Sequence, residues 1–206
     1  MQGLGPCGAG LRGFECMFAG MPENPTPRIY FIIHLLYMEK LLSLAIKAGK
    51  LKEVKRKGWM RAGIERVESV AEHSYRTAFM AMLIGDKLKL DVEKMVKMSL
   101  IHDIAECITG DITPHEMEKE KKINIEEKAV RELIGDMEYY EIWKEFILGK
   151  SEEAKVVYEI DKLEMILQAK EYEKIYGKES LKEFLKEEKK IKNPYLISLV
   201  EEIKKI

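Results

Sequence analysis

The sequence predicts an all-α protein, a bundle of several packed helices. Three observations carry that reading. Apolar residues recur at helical spacing from Met38 almost to the end, Ser69 and Asp91 stand at segment starts as N-caps, and no useful alternating apolar–polar stretch occurs outside the N-terminal run. With 206 residues and 46% hydrophobic content, the chain is long enough for one domain with a buried core.

Residues 1–37 read differently from the rest. Up to Arg28 the chain is rich in Gly and Pro without periodicity, which predicts disorder. Ile29 to Tyr37 is an apolar run, too short to span a bilayer and followed at once by Glu39 and Lys40. Met38 is the expected biological start, with the preceding residues an extension from a misplaced start codon. The domain is therefore placed at 38–206, and no membrane partner is expected.

A first helix carries Leu41, Leu42, Leu44, Ala45 and Ile46 and ends near Gly49; a basic, irregular connector follows to Val67. Ser69 and Glu72 form a capping box for a helix with Phe79, Met80, Leu83 and Ile84, ending near Leu90. Asp91 caps the next, with Met95, Met98 and Ile101 along one stripe. Gly110-Asp-Ile-Thr-Pro114 breaks the pattern. Helices are expected over Lys119–Leu133 and Tyr139–Leu148, then a long one opened by Ser151, and two shorter stretches around Leu181–Leu185 and Tyr195–Ile203.

A net charge of -1, from 35 basic and 36 acidic residues, argues against a nucleic-acid partner. Three cysteines without zinc-site spacing, Cys7, Cys16 and Cys107, suit a reducing cytoplasm. There is neither a Walker loop nor a dinucleotide-binding glycine motif.

The chemistry gathers around His102-Asp103, inside the apolar stretch Met98 to Glu106. A buried ionisable pair is costly unless it is paired or binds a metal. His73 lies upstream, beyond the capping box, and Asp161 lies on the long helix beside Ile160 and Leu163. Two imidazoles and two carboxylates from three segments suit a divalent metal with open positions. Each residue alone also fits an ordinary hydrogen-bonded core site. Glu106 lies one turn beyond the doublet, and Asp111 sits in the loop that follows. Such a carboxylate pair can serve as general acid or base, hold a second ion, or merely bond a lysine and cap a turn. Glu72 is explained by the capping box, His115 is expected on the surface, and Lys119-Glu-Lys-Lys122 reads as a solvated helix face. Arg61 and Arg66 are phosphate candidates, because a guanidinium matches phosphate oxygens.

In four ordered stretches the chain resembles the HD superfamily of metal-dependent phosphohydrolases, most closely the 5′-deoxynucleotidase group of the HD domain-containing protein 2 type. The stretches are Lys55-Arg-Lys-Gly-Trp59, Val67-Glu-Ser-Val-Ala-Glu-His-Ser-Tyr-Arg76, Leu100-Ile-His-Asp-Ile-Ala-Glu-Cys-Ile-Thr-Gly-Asp-Ile-Thr-Pro114 and Ile160-Asp-Lys-Leu-Glu-Met-Ile-Leu-Gln-Ala169. The resemblance implies an HD-domain bundle that hydrolyses nucleoside 5′-monophosphates, typically deoxy forms, to nucleoside and phosphate. It implies a divalent ion (Co, Mn or Mg) on His73, His102, Asp103 and Asp161, with Glu106 and Asp111 in proton transfer or on a second ion, and a homodimer. Substrate contacts are expected from Arg56, Trp59, Arg61 and Thr113, although the arginine and tryptophan that adjoin in related enzymes are not adjacent here. The competing readings are a cyclic nucleotide phosphodiesterase, a nucleoside triphosphate hydrolase, or a non-catalytic nucleotide-sensing helical protein.

Overall fold

The structure is a computed structural model that describes residues 27–113, 115–135, 137–177 and 179–206. Residues 1–26, expected to be disordered, lie outside the described residues. The chain divides into two units, Met1–Ile46 and Lys47–Ile206. The described elements are helical; the only β feature among them is an isolated antiparallel bridge between Lys55 and Ser69.

In the first unit the apolar run and the amphipathic pattern merge into one helix, α1 (Pro27–Gly49). Glu39 and Lys40 do not interrupt it, since both are good helix formers. This corrects the expectation that the run is too short. Arg28–Lys52 is 25 residues long and contains an 18-residue stretch of mean hydropathy 1.6, long and apolar enough to cross a membrane by length and composition.

The second unit begins inside the last turn of α1 and continues with a 3-10 turn, Lys50–Lys52, and a short helix α2 (Lys57–Arg61). The Val70 N–H donates to the Val54 carbonyl at 2.9 Å and the Arg56 N–H to the Glu68 carbonyl at 3.2 Å. The two ends of the irregular connector are thus tied together, and Arg56 is held beside the start of α3 (Val70–Leu88). Ser69 caps α3 in the expected capping box with Glu72. Asp91 caps α4 (Val92–Ile101) by accepting from the Lys94 N–H.

The stretch after α4 departs from the expected continuous helix. Ile104, Glu106 and Cys107 donate to Ile101, Asp103 and Ile104, so the chain tightens to i→i+3 bonding before α5 (Glu106–Thr109). His102 and Asp103 therefore sit in a turn between two helices. Then come α6 (Lys119–Ile134), α7 (Glu138–Leu148) and the long α8 (Glu152–Tyr176), which Ser151 caps. Two 3-10 turns flank α9 (Lys182–Leu185), and α10 (Pro194–Lys205), capped by Asn193, closes the chain.

Helix α8 is the axis of the core. Val157, Ile160, Leu163 and Ile166 meet Ala81 and Ile84 of α3, Met95 and Met98 of α4, and Leu196 and Val200 of α10. Each fully buried branched side chain there contributes about 1.5–3 kcal/mol relative to exposure. A second cluster joins Trp59, Ile64 and Val67 to Ala169, Tyr172 and Leu181. The Tyr172 hydroxyl accepts from the Glu68 N–H and donates to the Arg66 carbonyl, hanging the connector from α8. Not every expected core residue is inside: Leu100, Phe79 and Leu83 are about half exposed. On α3 the buried stripe is instead Val70, His73, Ser74, Thr77, Ala78, Ala81 and Ile84. Small residues let α4 and α8 approach closely, and the larger ones face outward.

Candidate metal centre and phosphate cavity

His73, His102, Asp103 and Asp161 converge beside a cavity of about 410 Å³ whose lining includes the two aspartates. His73 comes from the second turn of α3 and is fully buried. Its Nδ1 is in a short hydrogen bond with the Glu164 carboxylate. Its Nε2 lies 3.1 Å from Asp161 Oδ1 and 4.0 Å from Asp103 Oδ2. His102 donates from Nδ1 to the Ser99 carbonyl at 2.7 Å, and its Nε2 lies 3.2 Å from Asp103 Oδ2. The Trp143 indole N–H donates to the His102 carbonyl and pins the turn from α7.

In both imidazoles an acceptor takes the Nδ1 proton, which leaves Nε2 as the ring atom turned to the carboxylates. Both Nε2 atoms are buried without a hydrogen-bond partner. Two such nitrogens, both beside Asp103 and one beside Asp161, fit a divalent cation, which would take the place of any Nε2 proton and complete an N2O2 donor set. Glu68, His73 and Glu164 also lie close enough together to suggest an ion site. There, however, His73 Nδ1 is taken up by Glu164, and Glu68 accepts from the Trp59 indole N–H at 2.8 Å.

The charges follow from this packing. Burial alone would raise the Asp103 pKa, yet His102, Arg56 and His73 outweigh it and hold the carboxyl well below its usual range. Asp161 is likewise held well below it: burial is outweighed by Lys162, His73 and His102. Both aspartates are anionic and suited to a cation. Glu106 behaves oppositely. Burial, then Asp103 and Asp111, push its pKa well above the ordinary carboxylate value, while Lys122 and Arg56 pull it back. Glu106 Oε2 is buried without a partner, and Oε1 lies 3.5 Å from Lys122 Nζ.

Asp111 is placed by Gly110, whose φ of 70° and ψ of 171° suit a residue without Cβ. The turn lets Asp111 Oδ2 accept the Lys57 N–H at 2.6 Å, so the loop after α5 is latched to α2. Arg56 precedes α2, with Nη1 3.4 Å from Asp103 Oδ2. Gly58 allows the Phe184 ring to close over α2, since a Cβ there would meet it at 3.2 Å.

Arg56, Lys122 and Lys162 line the cavity as cations, and Trp59, Met165 and Phe184 give it an apolar wall. Of the expected substrate contacts, Arg56 and Arg61 line it with Trp59 and Thr113. Trp59 is only 1% exposed, packed on Phe184 and Tyr172, and so supports the wall from behind. The Thr113 hydroxyl and N–H both donate to Glu116. Arg66 is not among the described lining residues; its N–H donates to the Tyr176 hydroxyl. His115 is exposed, as expected, but sits on the lining.

Sequence reasoning misplaced Lys122 as part of a solvated face. Its ammonium turns inward to Glu106 and Glu126, and these carboxylates outweigh burial to push its pKa up to about 12. The available signal was Glu126, one turn on, buried in a helix whose opposite face is charged. The carboxylate behind His73 was also missed: Glu164 stands three residues after Asp161 on α8, on the same side of the helix.

Residues 48–204 match the HD domain family. The chain is 40% identical over 172 residues to 5′-deoxynucleotidase HDDC2 of Homo sapiens, covering 79% of this chain and 84% of that protein. A conserved hypothetical protein from Pyrococcus furiosus superposes with a TM-score of 0.71 at 37% identity, covering 80% of this chain and 99% of that one. A protein from Magnetospirillum magnetotacticum, described as a predicted metal-dependent phosphohydrolase, superposes at 0.60 with 26% identity, covering 82% and 95%. With four donors around two orphaned imidazole nitrogens and these likenesses over most of its length, the chain belongs to the HD-domain metal-dependent phosphohydrolases, within the HDDC2 5′-deoxynucleotidase family.

Proposed function

We propose that the protein hydrolyses deoxynucleoside 5′-monophosphates to nucleoside and phosphate, as the name of its HDDC2 relatives states for them. The observation that carries this reading is one cavity whose lining joins the aspartates of the histidine–aspartate cluster to cations that include Arg56, Lys122 and Lys162. That arrangement suits a phosphate dianion at a divalent ion, with the apolar wall beside Phe184 left for the nucleoside.

His73, His102, Asp103 and Asp161 would hold the ion, with Co, Mn or Mg as candidates. A bound divalent ion supplies an acidified water and charge neutralisation at phosphorus. Arg56 binds phosphoryl oxygens, oriented by Asp103 and kept charged although burial opposes it. Glu106, whose pKa burial and the neighbouring Asp103 and Asp111 raise, takes a proton from the attacking water. Asp111 holds the α2 end of the cavity in place and assists at Glu106. The bond from phosphorus to the 5′ oxygen breaks, and the nucleoside leaves as an alcohol with a proton. Arg61 and Thr113 complete the contacts at the mouth. A homodimer belongs to the same reading; the exposed stripe Tyr75, Phe79 and Leu83 on α3 offers a surface for it, and sedimentation tests that part.

The test is phosphate release from ribo- and deoxyribonucleoside mono-, di- and triphosphates by metal-free protein reloaded with Co, Mn, Mg or Zn. The expected result is metal-dependent release from deoxynucleoside monophosphates. Release from triphosphates or cyclic nucleotides alone would keep the metal site and replace the substrate. No release with metal bound would favour a nucleotide-sensing role.

A further inference from the structure

His73 and Arg76 are three residues apart on α3 and share a face. Asp161, Glu164 and Gln168 share a face on α8 by the same rule. The two faces meet, and the result is a continuous chain of polar contacts leading away from the cavity. His73 Nε2 points to Asp161, and its Nδ1 bonds Glu164 Oε2. Glu164 Oε1 accepts from Arg76 Nε at 2.8 Å and lies 2.7 Å from Arg76 Nη2. The guanidinium continues to Gln168 Oε1 at 2.6 Å and to Glu171 Oε2 at 2.7 Å.

Glu164 is fully buried. A carboxylate there is expensive unless every lone pair is used and its charge is balanced. Each of its oxygens has a defined task, one toward the imidazole and one toward the guanidinium. No apolar or neutral residue of that shape does both. An amide that offers its oxygen to His73 must turn its NH2 toward Arg76, donor against donor.

We propose that Glu164 and Arg76 are positioning residues for the metal centre: they fix the tautomer and aim of His73, and thereby set metal affinity. The inference rests on the reading of His73 as a metal ligand. Carboxylates behind ligating histidines act in this way generally, by locking the ring and raising its basicity. The structure adds a third member, because the carboxylate is itself neutralised by a guanidinium that only partly reaches solvent.

The experiment measures metal affinity, independently of turnover. Metal-free wild type, Glu164→Gln, Arg76→Gln and Glu171→Gln are titrated with Co(II) against a chelator, and the histidine 15N spectra of the metal-free proteins report the tautomers. Glu164→Gln should weaken Co(II) binding by about 10- to 100-fold and populate the second tautomer of His73. Arg76→Gln should give a smaller loss, and Glu171→Gln, which touches only the exposed end, none. Wild-type affinity together with an unchanged tautomer in Glu164→Gln overturns the proposal. Should that variant fail to fold, unchanged affinity in Arg76→Gln overturns it instead. Wild type that binds Co(II), weakened as expected by Glu164→Gln yet inactive on every nucleotide, would leave the positioning role intact and remove the nucleotidase reading. Wild type that binds no metal removes both.

Discussion

His73 and His102 share Asp103 but are held from behind by different means. His73 stands in the middle of a helical wall and leans on a side chain, Glu164, backed by Arg76. His102 stands in a tightened turn and leans on the main chain, the carbonyl of Ser99, with its own carbonyl fastened by Trp143. Side-chain support can be altered by one substitution, whereas main-chain support follows from the path of the chain. One imidazole is therefore tunable by sequence and the other by fold alone.

The largest effect should come from the residue shared by both ends. Asp103 approaches both Nε2 atoms and Arg56. Asp103→Ala should abolish metal binding and phosphate release together, as read by metal analysis of the purified protein and by the release assay. Full activity in a metal-free Asp103→Ala protein would sink the metal reading.

Glu106 lies outside the pair of histidines. Glu106→Gln should lower kcat by about 10²- to 10⁴-fold with Co(II) affinity retained, because a proton carrier is lost and no donor to the ion. A matching collapse in metal stoichiometry would instead make Glu106 a ligand of a second ion.

Lys122 sharpens the same point through pH. If anionic Glu106 is the active form, activity rises as pH passes through its pKa, which is raised above the ordinary value. Lys122 pulls that pKa down, so Lys122→Met should shift the acidic limb of the kcat profile to higher pH. A shift to lower pH, or none, would separate Lys122 from Glu106.

The smallest effect is expected at Ser99. Its hydroxyl donates to the Met95 carbonyl, while only its backbone serves His102. Ser99→Ala should cost about 0.5–1.5 kcal/mol in denaturant unfolding and leave Co(II) affinity unchanged. A loss of affinity as large as that of Glu164→Gln would erase the contrast between the two histidines.

Much of this was legible in the sequence because it rests on short-range chemistry. Ser69, Asp91 and Ser151 satisfy N–H groups within their own turns, so their caps read directly from spacing. The His-Asp doublet stood out because polar groups are costly among apolar neighbours. What failed depended on distant partners. Lys122 reads as solvated until Glu106 and Glu126 are placed beside it. Leu100 reads as core among its apolar neighbours until α4 turns Met95, Met98 and Ser99 inward and leaves it half exposed. Arg66 has the right chemistry for phosphate but hangs on Tyr176, outside the cavity. In α1, the apolar run before Met38 and the amphipathic pattern after it read as two segments, but helix propensity runs straight through Glu39 and Lys40 and joins them.

Helix α8 has no idle side. Ile160, Leu163 and Ile166 fill the core, and on the turns between them Asp161 and Glu164 serve the cavity. Any slip or rotation of this helix that disturbed one face would disturb the other in the same motion. Loss of bound ion and loss of cooperative packing should thus coincide on heating, and a loaded protein should melt later, by an amount set by free metal concentration. Innovation in substrate choice is left to the rim, where Arg61, His115 and Phe184 line the cavity from segments outside α8.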